Sequence, residues 1–205
     1  MSFSAKRGDS LMDPLYGRTT TFLVDSRQTN LALARVLLSN LTRKEVPCVV
    51  LDIDALYASN SDYIFASVSE GQASIAQIHV PDPGAALEGD VADLLGAGQA
   101  KALIIDSLNS LYHLLSGGGS GSKNMRLGFA VALLSYIART EKRAVLLTMY
   151  ERERSARLGR RRSISDLSDL TVSVSILEGE LALTCVRGSA WPGRGLSVPI
   201  LLPSR

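Results

Sequence analysis

The residues of this chain that could do chemistry gather at the ends of short apolar runs. Asp25-Ser26-Arg27-Gln28-Thr29-Asn30 joins the run Thr21-Phe22-Leu23-Val24 to a helical pattern that opens at Leu31. Such a junction presents unpaired backbone N–H groups at the positive end of a helix, a natural seat for a phosphate. The glycines that would let backbone wrap a phosphate, and a lysine to neutralise it, are missing from it. Asp52-Ile53-Asp54 and Asp106 close two further apolar runs. Carboxylates there can hold a divalent cation or activate water, and can equally cap a turn with no metal. A different chemistry is written in residues 151–163, Glu-Arg-Glu-Arg-Ser-Ala-Arg-Leu-Gly-Arg-Arg-Arg-Ser, where six arginines meet two glutamates.

That segment carries a local charge of +4 in a chain whose net charge is +2, so the remainder is net negative. Positive charge concentrated at one place points to a polyanion contact more than to general solubility, although a solvated loop or an acidic protein partner has the same composition. Arginine suits phosphate because its planar fork donates parallel hydrogen bonds and keeps its charge. Only Tyr150 stands beside the segment as an aromatic, which favours backbone contact over base stacking. His79 and His113 stand among apolar neighbours with no nucleophile or carboxylate arranged around them. Cys48 and Cys185 fall in strand-like runs without metal-ligand spacing and read as small buried hydrophobes.

The elements that must position these groups follow from the apolar pattern. Thr21–Val24, Pro47–Asp52, Ile75–Val80, Ala102–Asp106 and Ala144–Thr148 are short continuous apolar strands alternating with helical patterns, as in a parallel sheet covered on both faces. The first helix carries Leu31, Ala34, Leu38 and Leu41 on one stripe, with Arg35 and Arg43 off it. Met125–Arg139 is apolar almost all round, which predicts a helix deep in the layered packing. After Leu170, three strands over Thr171–Leu177, Leu181–Arg187 and Leu196–Leu202 form an antiparallel meander. Pro199 lacks an N–H, so the last strand belongs at an edge. The length of 205 residues suits one domain, here 21–205 after an N-terminal extension 1–20. With 46% apolar and 20% charged residues the chain is that of a globular protein. No run is long and apolar enough for a membrane span, and no secretory signal is visible, so a cytoplasmic or nucleoid setting is expected.

The order of these parts resembles the RecA/RadA recombinase core: strand and helix, Leu-Ile-Ile-Asp-Ser-Leu from Leu103 to Leu108, a glycine-rich loop over Ser116–Ser122, a long helix, a strand, a basic loop and a terminal meander. The similarity runs from about Thr21 to Leu202 and is nearest to short archaeal RadA paralogues and KaiC-like proteins. It implies an α/β fold: a RecA-like core with a mostly parallel central sheet flanked by helices and a C-terminal antiparallel meander. In that family a G-x-x-x-x-G-K-T loop cradles the phosphates. Setting Thr29 at the hydroxyl position places Gln28 at the lysine and Arg27 at the second glycine, so the loop is shortened as well as substituted. An alternative reading makes Arg27 a substitute phosphate clamp.

By the same resemblance Asp106 matches a Mg²⁺-associated aspartate and Asp54 lies where a water-activating glutamate is carried. Thr148-Met149-Tyr150 stands where a polar sensor ending in an amide is usual. Cys185-Val186-Arg187 matches a Lys-x-Arg element that reaches a neighbour's nucleotide, which makes Arg187 a possible contact in trans. The glycine-rich loop with Lys123 and Arg126, and the loop with Arg152, Arg154, Arg157, Arg160, Arg161 and Arg162, correspond to DNA-contacting loops. The expectation is a catalytically silent paralogue that binds single- or double-stranded DNA and assists a recombinase. It needs no cofactor, with weak ATP-Mg binding left open. A structural subunit of a hetero-oligomeric assembly, akin to RecA-like Elongator subunits that contact RNA, is the second reading. A weak ATPase using Thr29, Asp54 and Asp106 is the third.

Overall fold

A computed structural model describes residues 11–66, 68, 75–81, 99–114, 120–151, 167–188 and 195–200. Their strands are β1 (Arg18–Val24), β2 (Cys48–Asp52), β3 (Ala76–His79), β4 (Ala102–Asp106), β5 (Ala144–Tyr150), β6 (Leu170–Leu177), β7 (Glu180–Arg187) and β8 (Gly195–Pro199). They form one sheet in the order β3-β2-β4-β5-β1-β6-β7-β8. Every pairing from β3 to β6 is parallel, and β6–β7 and β7–β8 are antiparallel. The mostly parallel α/β sheet with its terminal meander is therefore as expected. Pro199 closes the edge strand, where a missing N–H costs no ladder bond.

Side-chain alternation divides the core between two faces. Phe22, Val24, Val50, Ile104, Leu146 and Val172 point to one face, under helix α1 (Arg27–Arg43). Leu23, Leu51, Ile105, Leu147 and Met149 point to the other, under α3 (Leu108–Leu114) and α4 (Ser120–Glu141). A one-turn helix, α2 (Ser61–Ile64), lies against α1.

The helices reverse the expectation about depth. Besides the expected stripe, α1 buries Ala32, Leu33, Val36 and Leu37, leaving Arg35 half-buried over the Tyr63 ring. Its outer side meets Leu56, Tyr57 and Ile64 in one apolar cluster that also takes in Leu11, Met12 and Leu15. Thus residues ahead of Thr21 contribute to the core, and β1 begins at Arg18. By contrast α4 buries Leu127, Val131, Leu134, Ser135 and Ala138, with half-buried Ile137 beside them. Met125, Phe129, Leu133 and Tyr136 of the helix expected to lie deep are exposed. A helix apolar all round is buried all round only if a second layer covers it, and none of the described residues does so. Helix α4 also starts at Ser120, inside the stretch read as a glycine-rich loop, whose residues 116–119 lie outside the described residues.

The start of β1 is held from outside the sheet. Asp169 accepts the Thr19 N–H at 3.0 Å and pairs with Arg139 of α4, while Ser168 Oγ and Thr21 Oγ1 share a buried bond of 2.5 Å. Ser168 is thus one of the buried polar contacts of the first strand.

Phe22 is fully buried on the α1 face at the centre of the sheet. Phe22→Ala is expected to lower the unfolding free energy by about 3–5 kcal/mol. Urea denaturation checks this as a lower midpoint at unchanged slope.

Candidate functional site

The polar cluster under the start of α1 is assembled by strand register. Asp52 and Asp106 are neighbours across β2 and β4, and both share parity with the α1-facing Val50 and Ile104. Both carboxylates are buried. Asp106 Oδ1 accepts from Asn30 Nδ2 at 2.8 Å and from the Thr148 hydroxyl, while Asn30 Nδ2 also reaches Tyr150 Oη at 3.2 Å. Tyr150 is fixed in turn by its N–H on Asn109 Oδ1 at 2.9 Å.

Asp52 serves the turn that follows β2. Ala55 adopts φ 52°, and the chain curls so that the Ala58 N–H meets Asp52 Oδ2 at 2.8 Å, with the Tyr57 and Leu56 N–H groups also on this carboxylate. That turn delivers Tyr57 into the interior beside Asp106 and Asp52, fully buried. Among the described residues, Asn30 Oδ1, Asp52 Oδ1, Asp106 Oδ2 and Tyr57 Oη are buried without a hydrogen-bond partner.

Burial sets the protonation of this cluster. Desolvation pushes Asp106 up to about 6, against the opposing bonds from Thr148 and Asn30, with Asp54 and Asp52 adding repulsion. Asp52 is also raised, first by burial and last by Asp54, its backbone N–H bonds opposing. The Tyr57 phenol is raised well above its ordinary value by burial and then by Asp106 and Asp52. Burial likewise raises Tyr150, opposed by its bond to Asn30 and, more weakly, by the charge of Arg27.

The junction before α1 is organised around its own side chains. Ser26 caps the helix, accepting the Thr29 N–H at 3.1 Å on its hydroxyl and the Asn30 N–H at 3.0 Å on its carbonyl. The buried Thr29 hydroxyl donates to Asp25 Oδ1 at 2.5 Å and lies 2.9 Å from Ser26 Oγ. Arg27 and Gln28 are exposed on the first turn.

The expected site residues are therefore divided. Asp106 sits in the cluster, but its helix partner is Asn30 and not Thr29, one residue earlier. Asp54 is exposed and accepts from Ser110 Oγ at 2.6 Å and Ser107 Oγ at 3.3 Å, at the start of α3. Lys123 lies on the first turn of α4 with Nζ 5.9 Å from the centre of the Tyr112 ring, and Arg126 is exposed one turn on. Arg187 is exposed at the end of β7, four strand spacings from β4, or about 19 Å. Arg152, Arg154, Arg157, Arg160, Arg161 and Arg162 lie outside the described residues.

Sequence reasoning passed over Asn30 and Tyr57. Asn30 is in phase with Ala34, Leu38 and Leu41, and a polar residue on an apolar stripe was the available signal. Cys48 is buried and its thiol pushed up to about 12 by desolvation. Cys185 is only half-buried, with Sγ near the carbonyls of Arg187 and Gly188. No group of three or more His, Cys, Asp or Glu among the described residues is arranged to hold a metal ion. No helix of these residues is long and apolar enough to cross a membrane.

No family model matches the chain, and no curated protein matches it in sequence. Among solved structures, the crystal structure of the RadB recombinase is similar with a TM-score of 0.62 at 13% identity, covering 92% of this chain and 90% of that one. The chain therefore shares the RecA-like fold of that structure.

The titration of Asp106 makes a prediction with a definite sign. A carboxyl raised from 3.8 to about 6 binds its proton more tightly in the folded state, so its contribution to stability falls as pH rises through that window. Asp106→Asn keeps an acceptor for Asn30 and Thr148 and removes the buried charge. It is expected to stabilise the protein near neutral pH by on the order of 3 kcal/mol and to give no such gain near pH 4. Urea denaturation across that range checks it.

Proposed function

We propose that this chain is a non-catalytic RecA-like paralogue that binds DNA through its basic loops and assists recombination or repair with little or no ATP hydrolysis. The observation that carries the reading is the self-capped junction before α1. A triphosphate needs free N–H donors, a hydroxyl for Mg²⁺ and positive charge at that helix end. Here the Ser26 hydroxyl takes up the N–H group of Thr29, the Thr29 hydroxyl is committed to Asp25, and the carboxylate of Asp25 adds negative charge at the same place. The residues present do not fit a Mg²⁺-triphosphate, and Asp106 faces an amide where a hydroxyl-bound cation would be required.

Losing a lysine and one further charge-assisted contact costs about 1.5–3 kcal/mol each. Together they lower phosphate affinity by roughly two to four orders of magnitude. What the chain retains is arginine. The segment bearing Arg152, Arg154, Arg157, Arg160, Arg161 and Arg162 follows Tyr150, and Lys123 and Arg126 open α4. Likeness to a structure described as a recombinase supports DNA as the polyanion, bound by its backbone and without sequence preference.

Fluorescence anisotropy with single- and double-stranded oligonucleotides is expected to show affinity falling with salt. Neutralising Arg160, Arg161 and Arg162 together should lower the log–log slope by about 0.7–0.9 per lost contact. Unchanged affinity in that variant refutes the loop assignment. Calorimetry is expected to find no ATP-Mg binding at millimolar concentration, and turnover abolished by Asp106→Ala would refute the non-catalytic reading.

A further inference from the structure

The outer face of α4 is built like one half of a helix–helix contact. Met125, Phe129, Ala132 and Tyr136 follow one another at spacings of four, three and four, the repeat of a coiled-coil seam, and Leu133 widens the stripe. Met125 and Phe129 are each 71% exposed, Tyr136 65% and Leu133 40%. Together these side chains present on the order of 500 Å² of surface, the size of patch that on a monomer marks a binding site. Leu167, itself 42% exposed, packs beside Gly128 and extends the patch at its flank.

The charges around this stripe select the partner. From Ser120 to Thr140 the helix carries Lys123, Arg126 and Arg139 and no carboxylate. Arg126 flanks the stripe beside Leu133, and Arg139 stands at its C-terminal end, paired with Asp169 and still largely exposed. A second copy laid along the stripe would set basic residue against basic residue in either orientation, because the one carboxylate of the facing helix, Glu141 at its last position, is already paired with Arg143. We infer that this face docks an amphipathic helix of a different protein, apolar along its seam and acidic along its flanks.

The probe is a synthetic amphipathic peptide of about three heptads with leucine at a and d and glutamate at e and g, compared with its lysine-flanked twin. Binding to the full-length chain is read by fluorescence anisotropy. The acidic peptide is expected to bind at least roughly tenfold more tightly than the basic one. Phe129→Asp, at an exposed position, should weaken it by a similar factor, and Met125→Lys should do likewise while the circular dichroism of both variants stays unchanged. Light scattering should report a monomer before peptide is added. Equal binding of the two peptides, or binding of neither, overturns the inference. So does a homodimer that Phe129→Asp dissociates, or an oligonucleotide that binds the parent chain and not Phe129→Asp while the peptides stay inert. Arg160, Arg161 and Arg162 are untouched in this series, so its failure leaves the DNA-binding proposal standing.

Discussion

The bond from Asn30 to Asp106 ties the first turn of α1 to the last residue of β4, two strands away from β1, where that helix begins. It is made inside the protein, where a hydrogen bond to a charge is strong and an unmade one costs the full desolvation of the group. Asn30 also reaches Tyr150 and Thr148 also reaches Asp106, so the end of β5 is fastened to the same point. One amide thus sets where α1, β4 and β5 meet. The turn from Asp52 to Ala58 closes the cluster below by carrying Tyr57 into it.

This arrangement satisfies the polar groups at the start of α1 from within the chain. Ser26 and Asp25 at the surface satisfy the buried Thr29, and Asn30 satisfies Asp106 beneath them. The cost appears in the raised carboxyls and in the buried oxygens that no described residue meets. A core of close-packed Leu, Val and Ile on both faces of the sheet absorbs that cost.

Much of the fold was legible in the chain because parallel strands buried on both sides read as continuous apolar runs, and each expected strand starts within three residues of an observed one. The start of β1 was hidden because Arg18 and the buried Thr19 and Thr20 look like a polar lead-in. The two long helices were misjudged in opposite senses. Amphipathicity reports which residues could be buried, whereas burial depends on what the rest of the chain lays across them: Leu11, Met12, Leu15 and α2 for the first helix, none of the described residues for the outer face of the other. At the site, Asp106 was legible as a carboxylate closing an apolar strand. Asn30 was not, because a family motif drew attention to the hydroxyl beside it, and which of two adjacent helix residues faces the sheet is decided by the rotation of the helix.

The latch at Asp169 has a thermodynamic consequence. Leu167 rests beside Gly128 and Asp169 receives Arg139, so the residues that follow the arginine-rich segment are held by the helix whose outer face is apolar, and through Thr19 by the first strand as well. A ligand on that face that moves α4 against β1 changes the strain on this anchor. Under the two proposals above any such coupling is reciprocal: the factor by which an occupant of the helix alters the affinity proposed for the arginine segment is the factor by which that anion alters affinity for the occupant.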